Sequence, residues 1–352
     1  MSYSNFAPRF SITNRIAADL TTIERARGFL EAATLSKEWV GRMSQRALLL
    51  EAHHTTHIEG TQLTIDQAER LWAGHEVTEA NRDDVRELLN YRGAFQLVAD
   101  TIQGGRPLTE ALIREFHLCL VKGVRGGTAQ PGSYRTIQNF IANSKTREII
   151  YTPPGPEQVA SLMHELVEWV RSGSEIHPVL VAGLAQFQLV HIHPFVDGNG
   201  RTSRLLSTFC LYRSGYDFKR LFTLSEFYDR DRSLFYAALQ SVRDKGMDMT
   251  AWLEFFTAGL ATQLEEVKAR GKQAIQMDVV AQANTLSPRQ SVLLQDLQRP
   301  DKWTLARIEP LFPDISRRSL QRDIKVLVDK GLIREVGTSP TDPHRYYQAV
   351  EL

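Results

Sequence analysis

Cysteine is nearly missing from this chain of 352 residues: Cys119 and Cys210 are the only two, each in an apolar helical context. Two such thiols build no disulfide framework, so buried thiols in a reducing compartment are the expected reading. An excess of charge of one sign is missing as well. The 42 Lys and Arg against 41 Asp and Glu leave a formal net charge of +1, which excludes a global attraction to nucleic acid or membrane. No apolar run reaches membrane-spanning length. The first residues, Met1-Ser2-Tyr3-Ser4-Asn5-Phe6, lack the basic-then-apolar pattern of a secretion signal. A cytoplasmic location is therefore expected. Internal repeats and low-complexity segments are absent too. An apolar content of 42% and a charged content of 24% belong to an ordinary soluble globular protein.

What is present is concentrated in one stretch, 193–204, which reads His-Pro-Phe-Val-Asp-Gly-Asn-Gly-Arg-Thr-Ser-Arg. Ahead of it, 178–190 is apolar enough for a buried helix. Behind it, Leu205, Leu206, Phe209 and Leu211 recur at helical spacing until Ser214-Gly215. The stretch thus reads as a loop feeding a helix N-terminus. Gly198 and Gly200 let the backbone approach a ligand closely, and the free amides of a helix start suit a phosphate. Arg201 and Arg204, one turn apart, add forked donors on one face. Asp197 offers a hard oxygen to Mg²⁺, and His193 can take a proton near neutral pH. A base, a metal ligand, an anion nest and two arginines within twelve residues make a nucleotide-phosphate site.

The same residues resemble the signature of the Fic family, His-x-Phe-x-Asp/Glu-Gly-Asn-Gly-Arg-x-x-Arg, matched at every fixed position of 193–204. The resemblance implies a mostly α fold, a helical core carrying one β-hairpin flap. It also implies transfer of AMP from ATP to a Ser, Thr or Tyr hydroxyl of a protein, with release of pyrophosphate. His193 would be the general base. Gly198, Asn199 and Gly200 would hold the α- and β-phosphates, through backbone amides and the Asn199 amide. Asp197 would hold Mg²⁺, Arg201 the β-phosphate and Arg204 the γ-phosphate. Phe195 would pack inward. Upstream, Thr55-x-x-x-Glu59-Gly60 is similar to the family's inhibitory motif, in which the glutamate pairs with the second signature arginine, here Arg204. The kinase-like branch carries lysine where Gly200 stands, which argues against that chemistry. AMP removal, with Glu59 positioning water, stays open, as does a DNA-binding regulator whose core senses nucleotide. Self-modification and dimers are further expectations from relatives.

Along the chain, helices are expected around 16–30, from Trp39 onward, from Asp66, and over 83–98. His54 and His57 share a helical face, but no Cys or further carboxylate completes a metal site, so hydrogen-bonded or solvated histidines are expected. After the turn-rich 126–132, the β-rich runs 134–141 and 148–151 predict a hairpin. Its position resembles the flap that holds a target segment by strand pairing. A helix over 227–239 brings Tyr236 forward as a contact for adenine. The domain reading is 1–105 for an N-terminal helical region, 106–270 for the catalytic core, 271–286 for a linker and 287–352 for a winged helix-turn-helix. Helices at 289–297 and 304–311 precede a mildly basic recognition helix from Ser316, with 331–336 and Tyr346-Tyr347 as wing. That unit serves DNA or a protein partner.

Overall fold

The computed structural model describes residues 6–124, 130–142, 146, 148–173, 175–298, 301–337 and 345–350. Helix α1 (Asn14–Ala32) starts where the Thr13 hydroxyl accepts the Ile16 amide, and α2 (Lys37–Ile58) follows. At α3 (Ile65–Trp72), Thr64 and Gln67 cap one another reciprocally. Asn81 and Thr109 cap α4 (Arg82–Gln103) and α5 (Glu110–Val121), each satisfying an amide the helix cannot.

The hairpin is smaller than the sequence predicts. Only β1 (Ile141–Ala142) and β2 (Ile149–Tyr151) pair, antiparallel and with an irregular register. Upstream, the Arg135 amide donates to the Pro194 carbonyl at 2.9 Å, so the first run is tied to the signature loop before it can join a sheet. Residues 125–129 of the turn-rich loop and 143–145 of the hairpin turn lie outside the described residues.

Helices α6 (Pro156–Arg171), α7 (Pro178–Ile192) and α8 (Asn199–Arg213) come next. Helix α7 is buried on all sides, as expected of a helix that is apolar all round, and packs along α8 at the centre of the core. Phe187, Phe195 and Phe209 are fully buried there, each side chain contributing about 1.5–3 kcal/mol of transfer free energy. The expected helix over 227–239 is two helices, α9 (Leu224–Arg230) and α10 (Arg232–Asp244). Asp231 leaves the helical region (φ −143°, ψ 85°), and its carboxylate accepts the Leu234 amide to start the second. Helix α11 (Thr250–Ala283) is tied to α7 by the Trp252 indole N–H, which donates to the Gly183 carbonyl at 2.8 Å.

The chain divides into two compact units, Met1–Ala33 with Lys37–Lys268, and Thr34–Ser36 with Ala269–Leu352. Residues 271–283, expected as linker, are helical and belong to α11. In the second unit, α12 (Pro288–Leu297) begins in a reciprocal Ser287–Gln290 cap. Helix α13 (Leu305–Ile308) tightens at once into a 3₁₀ turn over Glu309–Leu311, because Pro310 has no amide to continue an α-helix. Helix α14 (Arg317–Asp329) follows, and then β3 (Ile333–Val336) pairs antiparallel with β4 (Tyr346–Ala349). Leu293, Leu297, Trp303, Ile324, Leu327 and Tyr347 form part of one apolar core of that unit.

Candidate active site

Helix α7 ends at His193, whose backbone is left-handed (φ 52°, ψ 57°) and whose amide donates to the Leu189 carbonyl at 2.9 Å. A non-glycine residue pays a small steric penalty in that conformation, and the turn swings the imidazole out of the helix line. Its Nδ1 lies 3.2 Å from the Val190 carbonyl. A carbonyl only accepts, so Nδ1 carries the proton and Nε2 keeps its lone pair. Burial pushes the imidazole down to about 4, against the Val190 bond and the Glu59 charge. At neutral pH His193 is therefore an uncharged base.

The loop that follows closes on itself. The Asn199 carboxamide accepts the Phe195 amide at 2.9 Å and donates to the Phe195 carbonyl at 2.8 Å. This side chain, expected on a phosphate, is committed to shaping the loop. Gly198 is left-handed (φ 78°), and a Cβ there would lie 2.7 Å from Val121 Cγ1, so both conformation and space require glycine. The amides of Asn199, Gly200 and Arg201 open α8 and by position have no acceptor within the helix. Those three donors form the anion nest the sequence predicts. Asp197 Oδ1 accepts the Gly198 amide at 2.7 Å, and about a third of the side chain (32%) is exposed at the nest. One carboxylate beside a phosphate site suits Mg²⁺, which takes its remaining ligands from phosphate and water. Among the described residues, no group of three His, Cys, Asp or Glu is arranged to hold a metal by itself.

Both signature arginines are buried, and each meets a glutamate. Arg204 donates from Nη2 to Glu59 Oε1 at 2.7 Å, from Nε to the Thr55 hydroxyl at 2.6 Å, and from Nη2 to the Thr55 carbonyl at 2.9 Å. Burial alone would lower its pKa, and the charge and hydrogen bond of Glu59 carry it above the usual value. Glu59 also lies against the nest, where a Cβ on Gly200 would overlap its Oε1. The end of α2 thus places a carboxylate where a phosphate would go. Arg201, expected on the β-phosphate, turns its Nη1 to Glu87 Oε2 of α4 at 2.7 Å, with Nη2 3.7 Å from Asp197 Oδ2. Tyr236 of α10 is half exposed, and its hydroxyl lies 3.4 Å from the Ile58 carbonyl, next to Glu59 in the chain. His54 and His57 each place Nδ1 2.8 Å from Asp229 Oδ2 and so are hydrogen-bonded, as expected.

Three residues of the site escape a motif search. Arg135 is buried and grips carbonyls: Nε donates to His193 at 2.8 Å, Nη1 to Ile137 at 3.0 Å, and Nη2 to Pro154. It joins the base of the hairpin to the catalytic loop. His117 of α5 stacks on Phe195 at 3.7 Å, donates from Nε2 to the Asp197 carbonyl at 2.9 Å and accepts the Gly132 amide at 3.0 Å. Burial pushes His117 down to about 4. Glu87 is the third. Periodicity flags two of them, because Glu87 falls in line with Tyr91 and Ala94, and His117 with Ile113 and Leu120, on buried helical faces. Nothing local to 134–136 marks Arg135.

Residues 107–211 match the sequence model of the Fic/DOC family, and residues 30–100 match that of the Fic/DOC family N-terminal region, together half of the chain. The protein adenylyltransferase Fic of Drosophila ananassae is 32% identical over 200 residues, which is 56% of this chain and 38% of the relative. That of Drosophila melanogaster is 32% identical over 200 residues, covering 56% and 39%. The chain thus spans about two fifths of the length of these curated relatives. A Fic family protein from Desulfovibrio desulfuricans has the same fold over 98% of both chains, with a TM-score of 0.67 and 18% identity. Fic-1 of C. elegans matches over 75% of this chain and 73% of its own, with a TM-score of 0.60 and 24% identity. With the signature intact from His193 to Arg204 and both sequence models matched, this chain belongs to the Fic/DOC family.

Proposed function

We propose that this chain transfers AMP from ATP to a Ser, Thr or Tyr hydroxyl of a protein, itself included, and that Glu59 restrains the reaction. The observation that carries the reading is a neutral His193, with an open Nε2 lone pair, beside an amide nest against which Glu59 rests. The target hydroxyl passes its proton to Nε2 while its oxygen attacks the α-phosphorus. The bond from the α-phosphorus to the bridging oxygen breaks, and pyrophosphate leaves. A positioned base of this kind contributes about 10²–10⁴-fold. The amides of Asn199, Gly200 and Arg201 meet the charge that develops on the phosphoryl oxygens. Asp197 would hold Mg²⁺, which when bound neutralises phosphate charge. Arg204 takes the γ-phosphate once Glu59 leaves it, and Tyr236 offers its half-exposed ring to adenine.

The flap supplies the protein side of the reaction. Ile137, Phe140, Ile149 and Ile150 expose apolar surface around the short β1–β2 pair, as a strand-adding target segment requires. Free Cys119 and Cys210 agree with a reducing, cytoplasmic setting. The placement of Glu59 also favours a second reading, AMP removal, in which that carboxylate orients water at the α-phosphorus.

Intact-mass spectrometry after incubation with Mg²⁺ and ATP, alone and with a cell lysate, tests the proposal. An AMP adduct is expected with wild type and more with Glu59→Gly, and none with His193→Ala. Loss of AMP from a modified protein, dependent on Glu59, favours the second reading. Neither gain nor loss with any variant overturns both.

A further inference from the structure

We infer that the C-terminal unit binds duplex DNA as a winged helix, with α14 lying in the major groove. The order of elements has that layout. Helices α12, α13 with its 3₁₀ turn and α14 are followed by β3 and β4, and Trp303 exchanges two backbone hydrogen bonds with Tyr347 as a minimal third strand, at 3.2 and 2.8 Å. The inward face of α14 is Leu320, Ile324 and Leu327, all buried. Asp323, the one carboxylate in 317–328, is turned inward as well. Its Oδ2 accepts from Arg289 Nε at 2.5 Å and its Oδ1 from Gln290 Nε2 at 3.1 Å, both from α12. Helix α12 therefore fixes the orientation of α14 and removes the negative charge from its outer side.

The outward face presents Arg318, Gln321, Arg322 and Lys325, all exposed. From 318 to 325 they run along about 10 Å of helix at ~1.5 Å per residue, a length that fits a major groove about 12 Å wide. The residue types suit its contents: arginine forks match guanine O6 and N7, glutamine matches adenine N6 and N7, and lysine meets phosphate. Arg317 pairs with Glu309 at 3.2 Å and lies beside this face. A helix that docks on a protein needs a buried aromatic or aliphatic anchor, and the exposed residues of α14 include none. The whole chain has a net charge of +1, so any attraction to DNA must come from this local face.

The test uses the full chain and a pool of random duplexes about 30 base pairs long, with anisotropy titrations at several NaCl concentrations and the matching single strands as control. Duplex binding is expected, falling linearly in log–log with salt. The Arg318→Ala/Arg322→Ala/Lys325→Ala variant, with melting temperature unchanged, should lose at least about tenfold in affinity and flatten the slope by about 2.7, roughly 0.9 per lost phosphate contact. Gln321→Ala should alter the enriched sequence and leave the slope alone. No duplex binding at roughly 10 μM protein and about 50 mM NaCl, where even non-specific DNA binders associate, overturns the inference. Equal binding by wild type and the triple variant, or selection of no duplex over single strand, overturns it too.

Discussion

Arg201 and Arg204 sit one turn apart on α8, each 2.7 Å from a glutamate, yet the two pairs belong to different regions of the molecule. Arg201 meets Glu87 from the middle of α4, and the two side chains are 1% and 2% exposed. Arg204 meets Glu59 just past the end of α2, where the glutamate is 24% exposed and Gly60 turns the chain away at φ 107°. Chemistry alone makes the pairs equivalent; surroundings separate them. A sealed pair cannot be exchanged for a ligand, since breaking it leaves an uncompensated charge in the core. A pair with one partner at the edge of a nest can be exchanged, because water and an incoming phosphate replace what Arg204 loses. On this reading Glu87 holds α8 to α4, and Glu59 is there to be displaced.

The largest effect should come from attacking the sealed pair. Glu87→Ala is expected to destabilise the fold by about 3–5 kcal/mol, read as a lowered denaturant midpoint. If it is as harmless as Glu59→Gly, the distinction between the two pairs fails. Glu59→Gly itself should raise AMP transfer about tenfold to a hundredfold, the equivalent of a charge-assisted hydrogen bond of about 1.5–3 kcal/mol. Initial rates at saturating ATP check this.

Acid sharpens the contrast on the sealed side. Burial pushes His53, His117, His191 and His193 each down to about 4. Their folded pKa values lie below the unfolded value of about 6.5, so the unfolded chain binds more protons between the two. Stability should therefore fall as pH drops from about 6.5 toward 4, and hold above 6.5. A melting series across that window checks the sign, and a flat profile contradicts the burial of these rings. The smallest effect should come from the flap. Ile149→Asp, at an exposed position of β2, is expected to raise KM for a protein target with little change in kcat, and to move stability by less than about 0.5 kcal/mol.

The chemistry of the site was more legible in sequence than its support. The loop, the start of α8 and the Glu59–Arg204 contact could be anticipated because the signature is contiguous and the inhibitory motif has fixed spacing. What holds them could not. Arg135, Glu87 and His117 act across long stretches of chain on backbone carbonyls, a buried guanidinium and a phenyl ring, and no local pattern encodes such partners. The same reason explains the misjudged Asn199: its place in the signature marks it as important but does not tell a phosphate from the Phe195 backbone. Local chemistry also outranked periodicity, since Asp231 splits the helix expected over 227–239 and Pro310 tightens the one expected over 304–311. Helix α11 shows the reverse, where weak patterning over 271–283 concealed a continuous helix.

The most direct test compares label transfer from α-³²P-ATP and γ-³²P-ATP, with Mg²⁺, by wild type, Glu59→Gly and His193→Ala side by side. The account predicts protein label from the α position alone, weak in wild type, stronger in Glu59→Gly and absent in His193→Ala. Label from the γ position, or equal α label in wild type and Glu59→Gly, would contradict it.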